Sequence, residues 1–338
     1  MDFSLVIPVY NGEPVLGETL DAARRCVPAP HEIIVVDDGS TDGTKDVAAA
    51  YDVTLVELDG PLGPATARTR GAEVASAEIV VFTDADVIVP EDLFTRLKQD
   101  FEETDAAVVQ GIFSRVCPFV NFCSHYKNLY NRFVLRSLPD WIDTTFTSLT
   151  AVRRDVFLAC GGFDCDIRDA SVEDRTLGRN VIRAGGRIFL DREIEVIHNK
   201  RLTLRDFVRN QFKRSRDLTK LLLRNRAEKR QDEETPATFE KGRFGTNAPT
   251  TMARIPIAYL ALGSLLTALF GYLWAWWLFA ACLLAFLGLA MPFIRHLANE
   301  QGWSFALLGI PLNFVDALVS GAGILRGVFD YIVLKRRY

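Results

Sequence analysis

Ile79-Val80-Val81-Phe82-Thr83-Asp84-Ala85-Asp86 is the stretch from which the fold of this chain can be read. Five β-branched or aromatic residues in a row, with no polar alternation, mark a strand buried on both faces, as in a parallel sheet. The run stops on two carboxylates. On extended backbone, residues two apart point the same way, so Asp84 and Asp86 can converge on one ligand. Hard divalent cations such as Mg²⁺ or Mn²⁺ take oxygen ligands of this kind. An acidic pair at a turn is also common without any metal, and the tripeptide alone leaves both readings open.

Working outward, similar short apolar runs occur at Leu5–Val9, Glu32–Asp37 and Thr54–Glu57, with the strand above spanning Glu78–Thr83. Helical patterns separate them at Val15–Cys26, Thr44–Ala50, Ala65–Ala75 and, after Pro90, Glu91–Glu103. This β-α-β-α order predicts an α/β fold with a Rossmann-like, mostly parallel sheet and helices on both faces. Ligands of such sheets sit at the carboxyl ends of the strands. Pro8-Val9-Tyr10-Asn11-Gly12, Asp37-Asp38-Gly39-Ser40 and Asp84-Ala85-Asp86 all fall there. No GxGxxG follows the first strand, which argues against a dinucleotide oxidoreductase. Met1 leads within two residues into the strand-like Phe3–Ile7, so no signal peptide is expected.

The character of the chain changes at residue 204. Leu204, Phe207, Val208, Phe212, Leu218, Leu221 and Leu222 recur at helical spacing with Arg and Lys between them. From Lys200 to Arg230 there are 12 Lys/Arg against 3 Asp/Glu. An amphipathic helix with a cationic face is suited to an anionic bilayer surface; packing against another part of the protein would use the same face. Gln231–Thr250 reads as a polar linker. Ile255 to Ile294 is then 40 residues without one Asp, Glu, Lys, Arg or His. A single span needs only about 20 residues, so two spans (255–273 and 275–294) with a turn near Gly271-Tyr272 are predicted. Trp274, Trp276 and Trp277 would lie at an interface. A weaker apolar segment, 304–325, contains Pro311, Asp316 and three glycines. By the positive-inside rule Arg254, Arg295 and Lys335-Arg336-Arg337 should all face the cytosol, which a re-entrant or interfacial segment would satisfy; its length favours a third span, which puts the C-terminal cluster on the opposite side against the rule. The expected division is a catalytic domain at 1–203, an interfacial helix and linker at 204–250, and a transmembrane region at 251–338.

Composition narrows the remaining classes. A net charge of −4 supplies no basic field for nucleic acid. The six cysteines form no CxxC and read as reduced thiols rather than a zinc site or disulfide framework.

The ordered motifs resemble the family 2 glycosyltransferases of GT-A fold. They are Ser4–Asn11, Glu32–Thr44, Ala67-Arg68-Thr69-Arg70-Gly71-Ala72, the Asp84 tripeptide, Gly161-Gly162-Phe163-Asp164 and Glu173-Asp174. The resemblance covers roughly residues 3–215, and Thr69 stands where the family usually has Asn. It implies a membrane-anchored enzyme with the active site on the cytosolic face. That enzyme transfers, with inversion, one sugar from a nucleotide-diphosphate sugar of UDP or GDP type to a lipid or lipid-linked acceptor. By the same resemblance Pro8, Tyr10 and Glu13 line the nucleotide pocket, Asp38 accepts a hydrogen bond from the base, and Arg68 approaches the nucleotide. Asp84 and Ala85 meet the ribose or sugar, Asp86 holds a divalent metal and His198 approaches it. Asp174, beside Glu173, is implied to be the general base that deprotonates an acceptor hydroxyl.

Each of these has a structural alternative. Asp38-Gly39-Ser40 can be a turn and helix cap, Glu173-Asp174 simple N-terminal helix charge, His198 a core residue, and the Gln211/Arg214 region a solvated basic face. Gln211-Phe212-Lys213-Arg214-Ser215 partly resembles the Gln-x-x-Arg-Trp motif of processive members. Ser215 in place of Trp points to a non-processive enzyme, with Gln211 and Arg214 bordering the acceptor or diphosphate. The aromatic stretch Phe113–Phe146 fits core burial as well as an acceptor surface, and Asp143 is its one candidate polar residue. Two rival readings stay open. A polyprenyl-phosphate acceptor would need no base at Asp174, and an inactive membrane scaffold would need no metal.

Overall fold

The computed structural model describes residues 1–167, 171–229 and 249–336. Among these, residues 1–120 and 135–201 form one compact unit; residues 121–134, 202–229 and 249–336 form a second. The predicted linker lies outside the described residues except at its last two positions. In chain order the strands are β1 (Phe3–Val9), β2 (Glu32–Asp37), β3 (Thr54–Glu57), β4 (Ile79–Thr83), β5 (Val87–Ile88), β6 (Val108–Phe113), β7 (Trp141–Ile142), β8 (Leu149–Arg153) and β9 (Ile188–His198). The helices are α1 (Leu16–Arg24), α2 (Thr44–Ala49), α3 (Pro64–Val74), α4 (Leu93–Glu103), α5 (Phe122–Arg136), α6 (Arg154–Ala159), α7 (Glu173–Arg183), α8 (Leu204–Lys229), α9 (Pro249–Leu269), α10 (Trp274–Gln301) and α11 (Trp303–Ile332).

The first unit is built on a sheet of order β3-β2-β1-β4-β8-β6-β9-β5, with β7 also on β9. The first four strands pair in parallel, as their continuous apolar runs require. Leu5, Val6, Ile7 and every residue of β4 are buried. Beyond β4 the sheet is mixed. β8 lies antiparallel between β4 and β6, and β6 resumes parallel pairing with β9. Two short strands, β5 and β7, run antiparallel to β9. The fold is thus the mostly parallel, GT-A-like sheet expected, with β8 as a reversed insert.

The second unit is helical. Its core gathers Tyr126 and Leu129 of α5, Phe207 of α8, Ile255 of α9, Phe286, Phe293, Ile294 and Leu297 of α10, and Leu312 of α11. Three of its helices, over Thr250–Leu269, Trp274–Gln301 and Trp303–Ile332, are long and apolar enough to cross a membrane. The predicted turn falls at Gly271, in the left-handed region at φ +96°, and Trp274, Trp276 and Trp277 beside it are exposed. α10 continues past the predicted end of its span, through Arg295, His296 and Glu300.

α8 buries part of the apolar face that its spacing marks, with Phe207, Leu218 and Leu221 inside, and it buries polar residues as well. Leu204 and Leu222 are exposed, whereas Gln211, Ser215, Asp217 and Lys220 are buried. The reason is its partner. α8 packs along α11, where a Cβ added at Gly323 would lie 2.6 Å from the Phe212 carbonyl oxygen, and one at Gly327 2.5 Å from that of Arg216. Only glycine lets the two backbones approach this closely, and the contact turns the polar stripe of α8 inward.

Candidate active site

The site lies at the carboxyl ends of β1, β2 and β4, where three loops knit together. After β1, Asn11 sits at φ +49°. Its N–H donates to Ser40 Oγ at 2.8 Å, and its Oδ1 accepts from the Thr41 N–H at 2.8 Å. The Gly12 N–H donates to Thr44 Oγ1 at 2.8 Å, and Glu13 Oε2 accepts from the Gly43 N–H at 2.9 Å. Gly39 takes φ +79°, and a Cβ there would lie 2.6 Å from Gly60 Cα. This packs the loop after β2 onto the loop after β3. Asp38, buried, ties them: its Oδ1 accepts from the Leu62 N–H at 2.7 Å and its Oδ2 from the Gly63 N–H at 2.8 Å. The turn reading of Asp38-Gly39-Ser40 is therefore what the backbone shows. Each carboxylate oxygen keeps a second lone pair for a further donor. Pro8 is half-buried in β1, and Tyr10 is 51% exposed over the loops.

Arg68, on α3, joins two of the predicted acidic residues. It is buried, with Nη2 2.5 Å from Asp84 Oδ1 and Nη1 3.1 Å from Glu173 Oε1. Burial alone would lower its affinity for a proton, but the two carboxylates outweigh it and leave the guanidinium above its ordinary value. Glu173 Oε2 also accepts from the Ser171 N–H at 2.7 Å. Arg68 thus spans a carboxylate at the end of β4 and one at the start of α7. Glu173 is buried, while Asp174 beside it is half-exposed.

The two-residue ladder between β5 and β9 explains the neighbours of Asp86. Val87 pairs with His198, and the Asn199 N–H donates to the Asp86 carbonyl at 2.7 Å. This brings His198 Nε2 to 3.4 Å from Asp86 Oδ1 and Lys200 Nζ to 3.5 Å from Oδ2. Burial pushes the Asp86 carboxyl up, but His198 and Lys200 overcome it and bring it down to about 2. The Ala85 carbonyl accepts from Thr19 Oγ1 at 2.7 Å. Among the described residues no group of three or more His, Cys, Asp or Glu gathers into a complete metal cage. A Mg²⁺-type ion needs no such cage, since it binds through one or two protein ligands and the oxygens of a phosphate substrate. Asp86 fits that partial ligand set, while the His198 imidazole beside it would suit a softer divalent ion.

The start of α7 is held by the end of the Phe113–Phe146 stretch, in which the sequence offered Asp143 and not its neighbours. Thr145 Oγ1 donates to the Asp174 carbonyl at 2.6 Å. A Cβ at Gly178 would meet Thr144 Cα at 2.7 Å. Gln110, fully buried in β6, anchors that loop: its Oε1 accepts from the Phe146 N–H at 2.8 Å and its Nε2 donates to the Leu149 carbonyl at 2.5 Å. A glutamine inside the apolar run Val108–Phe113 was the available signal. Lys200 was also missed; two residues beyond His198 on an extended segment, it shares a side with that histidine.

Gln211 and Arg214 belong to the helical unit. Gln211 is buried, its Oε1 accepting from Lys127 Nζ at 3.2 Å, and Arg214 is exposed. Ser215 is 1% exposed, and an added Gly323 Cβ would lie 2.9 Å from its Cβ. α11 therefore occupies the space a tryptophan here would need. Ser215→Trp is expected to lower stability by about 1–3 kcal/mol through overpacking, read as a fall in Tm of the detergent-purified protein.

Comparison with known proteins bears on this geometry. Residues 4–161 match the family described as Glycosyl transferase family 2. Glycosyltransferase GlyG of Streptococcus pneumoniae is 34% identical over 113 residues, which is 32% of this chain and 38% of GlyG. Undecaprenyl-phosphate 4-deoxy-4-formamido-L-arabinose transferase of Yersinia enterocolitica is 36% identical over 109 residues, 30% of this chain and 33% of that protein. The chain thus spans only about a third of the length of either relative. Among solved structures, the mannosyltransferase PcManGT from Pyrobaculum calidifontis, in complex with GDP-Man and Mn²⁺, shares the fold with a TM-score of 0.60. It is 22% identical, and the match covers 97% of this chain and 87% of that one.

Proposed function

We propose that this chain, whose residues 4–161 match Glycosyl transferase family 2, carries out a metal-dependent, inverting transfer of one sugar at the cytosolic face of a membrane. The donor is a nucleotide-diphosphate sugar of UDP or GDP type, and the acceptor is a hydroxyl of a lipid or lipid-linked molecule. The observation that carries this reading is the convergence of Asp86, His198 and Lys200 at the end of β4. It offers ligands to a cation and an ammonium to a diphosphate in one place.

A divalent metal bound by Asp86 and His198 would act as a Lewis acid on the leaving diphosphate. The chain supplies the rest. Asp38 and Tyr10 face the nucleotide from the loops after β2 and β1, and Lys200 adds positive charge where the diphosphate lies. Asp174 takes the proton from the acceptor hydroxyl as it attacks the anomeric carbon, through an oxocarbenium-like transition state. Arg68 and Glu173 position Asp84 and the start of α7. The three apolar helices support a multi-pass membrane protein.

The test offers labelled UDP- and GDP-sugars, with a total lipid extract, to the detergent-purified protein. The expected result is label in one lipid-soluble product. Chelation or Asp86→Asn should lower its formation by about a hundredfold or more, as loss of several kcal/mol of transition-state stabilisation requires. Formation of the same product unaffected by chelation would overturn the metal's role, and a water-soluble product would overturn the lipid acceptor.

A further inference from the structure

α9 and α10 form an apolar hairpin, and the residues around its turn include the exposed Phe270, Tyr272, Trp274 and Trp277. Such a cluster of aromatics suits the far interface of a bilayer. α11 is also long and apolar enough to cross, but it keeps different company. Its first half lies on α5: the Phe305 and Phe122 rings are 4.7 Å apart, and Asn313 Nδ2 donates to Tyr126 Oη at 2.9 Å. Its second half lies on α8. Gly323 meets the Phe212 carbonyl and Gly327 that of Arg216, so four residues forward on one helix match four on the other. The two run side by side in the same sense.

α8 is a poor companion for a crossing helix. From Lys213 to Arg226, six of fourteen residues are Lys or Arg, and charges at bilayer depth are costly. A crossing by α11 would carry this stretch through the membrane beside it. The contacts with α9 also limit the depth. Arg254, at the start of α9, donates from Nη1 to Asn313 Oδ1 at 2.7 Å, and Tyr259 Oη donates to the Leu318 carbonyl at 2.7 Å. Eight residues after Asn313, about 12 Å of helix, an added Cβ at Gly321 would still lie 2.9 Å from Ile255 Cγ2. Gly263 continues the face of Ile255 and Tyr259 at spacings of four, yet a Cβ there would meet nothing within 4 Å among the described residues. α11 therefore crosses α9 obliquely and leaves it by Tyr259, five residues or about 7.5 Å beyond Arg254. Helices that lie in the plane of a bilayer sink to about that extent, roughly 5–10 Å.

The two faces of α11 agree with such a placement. Asp316, Ser320, Gly323, Gly327 and Asp330 are buried on one side. On the other, Leu325, Val328, Phe329, Ile332 and Val333 are exposed at i, i+3, i+4, i+7 and i+8. We infer that α9 and α10 alone cross the membrane, and that α11 lies in the leaflet at Arg254, its Leu325–Val333 stripe in the acyl boundary of an anionic bilayer surface. Charge selects that occupant: the cations of α8 flank the stripe, and Lys335 and Arg336 follow it. Two crossings also gather Arg254, Arg295 and Lys335-Arg336-Arg337 on one side, as the positive-inside rule asks, whereas three would divide them. The placement sharpens the multi-pass reading above and rests on it for the cytosolic side, not on the transfer chemistry.

The experiment has two arms, both on the full chain. In the first, green fluorescent protein, which fluoresces in the cytosol, or alkaline phosphatase, which is active outside it, is fused after Tyr338 in a bacterial host. A bright fluorescent fusion and an inactive phosphatase are expected there, with an active phosphatase when it is inserted at the Gly271-Tyr272 turn. Activity at both positions overturns the inference. Inactivity at the turn overturns the hairpin crossing or its orientation, and the inference with it. In the second arm, Leu325→Cys and Ile332→Cys are spin-labelled, with the six native cysteines replaced, in vesicles containing phosphatidylglycerol. The two labels should report lipid at depths within about 3 Å of each other, whereas a crossing helix separates them by about 10 Å. The larger separation overturns the interfacial placement, and labels shielded from lipid overturn the bilayer as occupant in favour of a protein surface. If the cysteine-replaced background does not fold, the fusions decide. Asp86→Asn should leave both arms unchanged, so a failure of topology is separable from a failure of transfer.

Discussion

Asp174→Asn is expected to lower the turnover of sugar transfer by roughly 10²–10⁴-fold, the usual range for a lost general base. Donor affinity should stay within about twofold, because a contact made only in the transition state lowers kcat and kcat/KM together. Asparagine is close to isosteric, and the backbone contact that fixes residue 174, the hydrogen bond from Thr145 Oγ1 to its carbonyl, survives the change. Single-turnover rates and calorimetric titration of the donor separate the two quantities. Near-normal turnover would mean that the acceptor arrives already deprotonated, which is the phosphate-acceptor reading. The neighbouring Glu173 should behave differently. It is buried against Arg68 and the Ser171 amide, so Glu173→Gln should affect stability more than the chemical step.

Arg68→Met carries the second large expectation, a loss of about 3–5 kcal/mol in unfolding free energy. Removing one partner of a buried ion group leaves the others uncompensated. Here the abandoned charges are Glu173, 5% exposed at its side chain, and Asp84, 32% exposed. Most of the loss therefore falls on the Glu173 side. Arg68→Lys keeps the charge but cannot reach both carboxylates with one ammonium, so it should recover only part of the loss. Denaturant unfolding of the purified protein in detergent measures both. A double variant, Arg68→Met with Glu173→Gln, should be more stable than Arg68→Met alone, since it removes the stranded charge along with its partner.

Much of the first unit was legible because parallel strands buried on both faces are written as uninterrupted apolar runs. β2 and β3 begin and end at the predicted residues, and β1 and β4 within two. What sequence reading could not supply was pairing across long separations. Nothing local marks β8 as the strand that runs backwards beside β4, and β5 and β7 are two residues each. The same limit applies to the site. Asp86 could be named from its strand end, but Lys200 meets it only because β5 pairs with β9. Arg68 was implied to approach the nucleotide; its partner Glu173 is 105 residues away, and no spacing rule reaches that far. In the helical unit, apolar length identified the candidate spans, whereas the polar burial of α8 depended on two glycines of α11.

The reversed strand has a bearing on how the chain must be made. β1 to β4 are complete within the first 83 residues, with all of Ile79–Thr83 buried in the finished sheet. Until Leu149–Arg153 arrives, one margin of β4 offers unsatisfied amides and carbonyls beside an apolar strand. Such an open margin recruits other chains, and non-local pairing of this kind is slow. The emerging polypeptide therefore passes through a vulnerable interval that lasts for some 66 residues of synthesis, Thr83 to Leu149, and an N-terminal fragment cut within that interval would keep the sticky margin permanently.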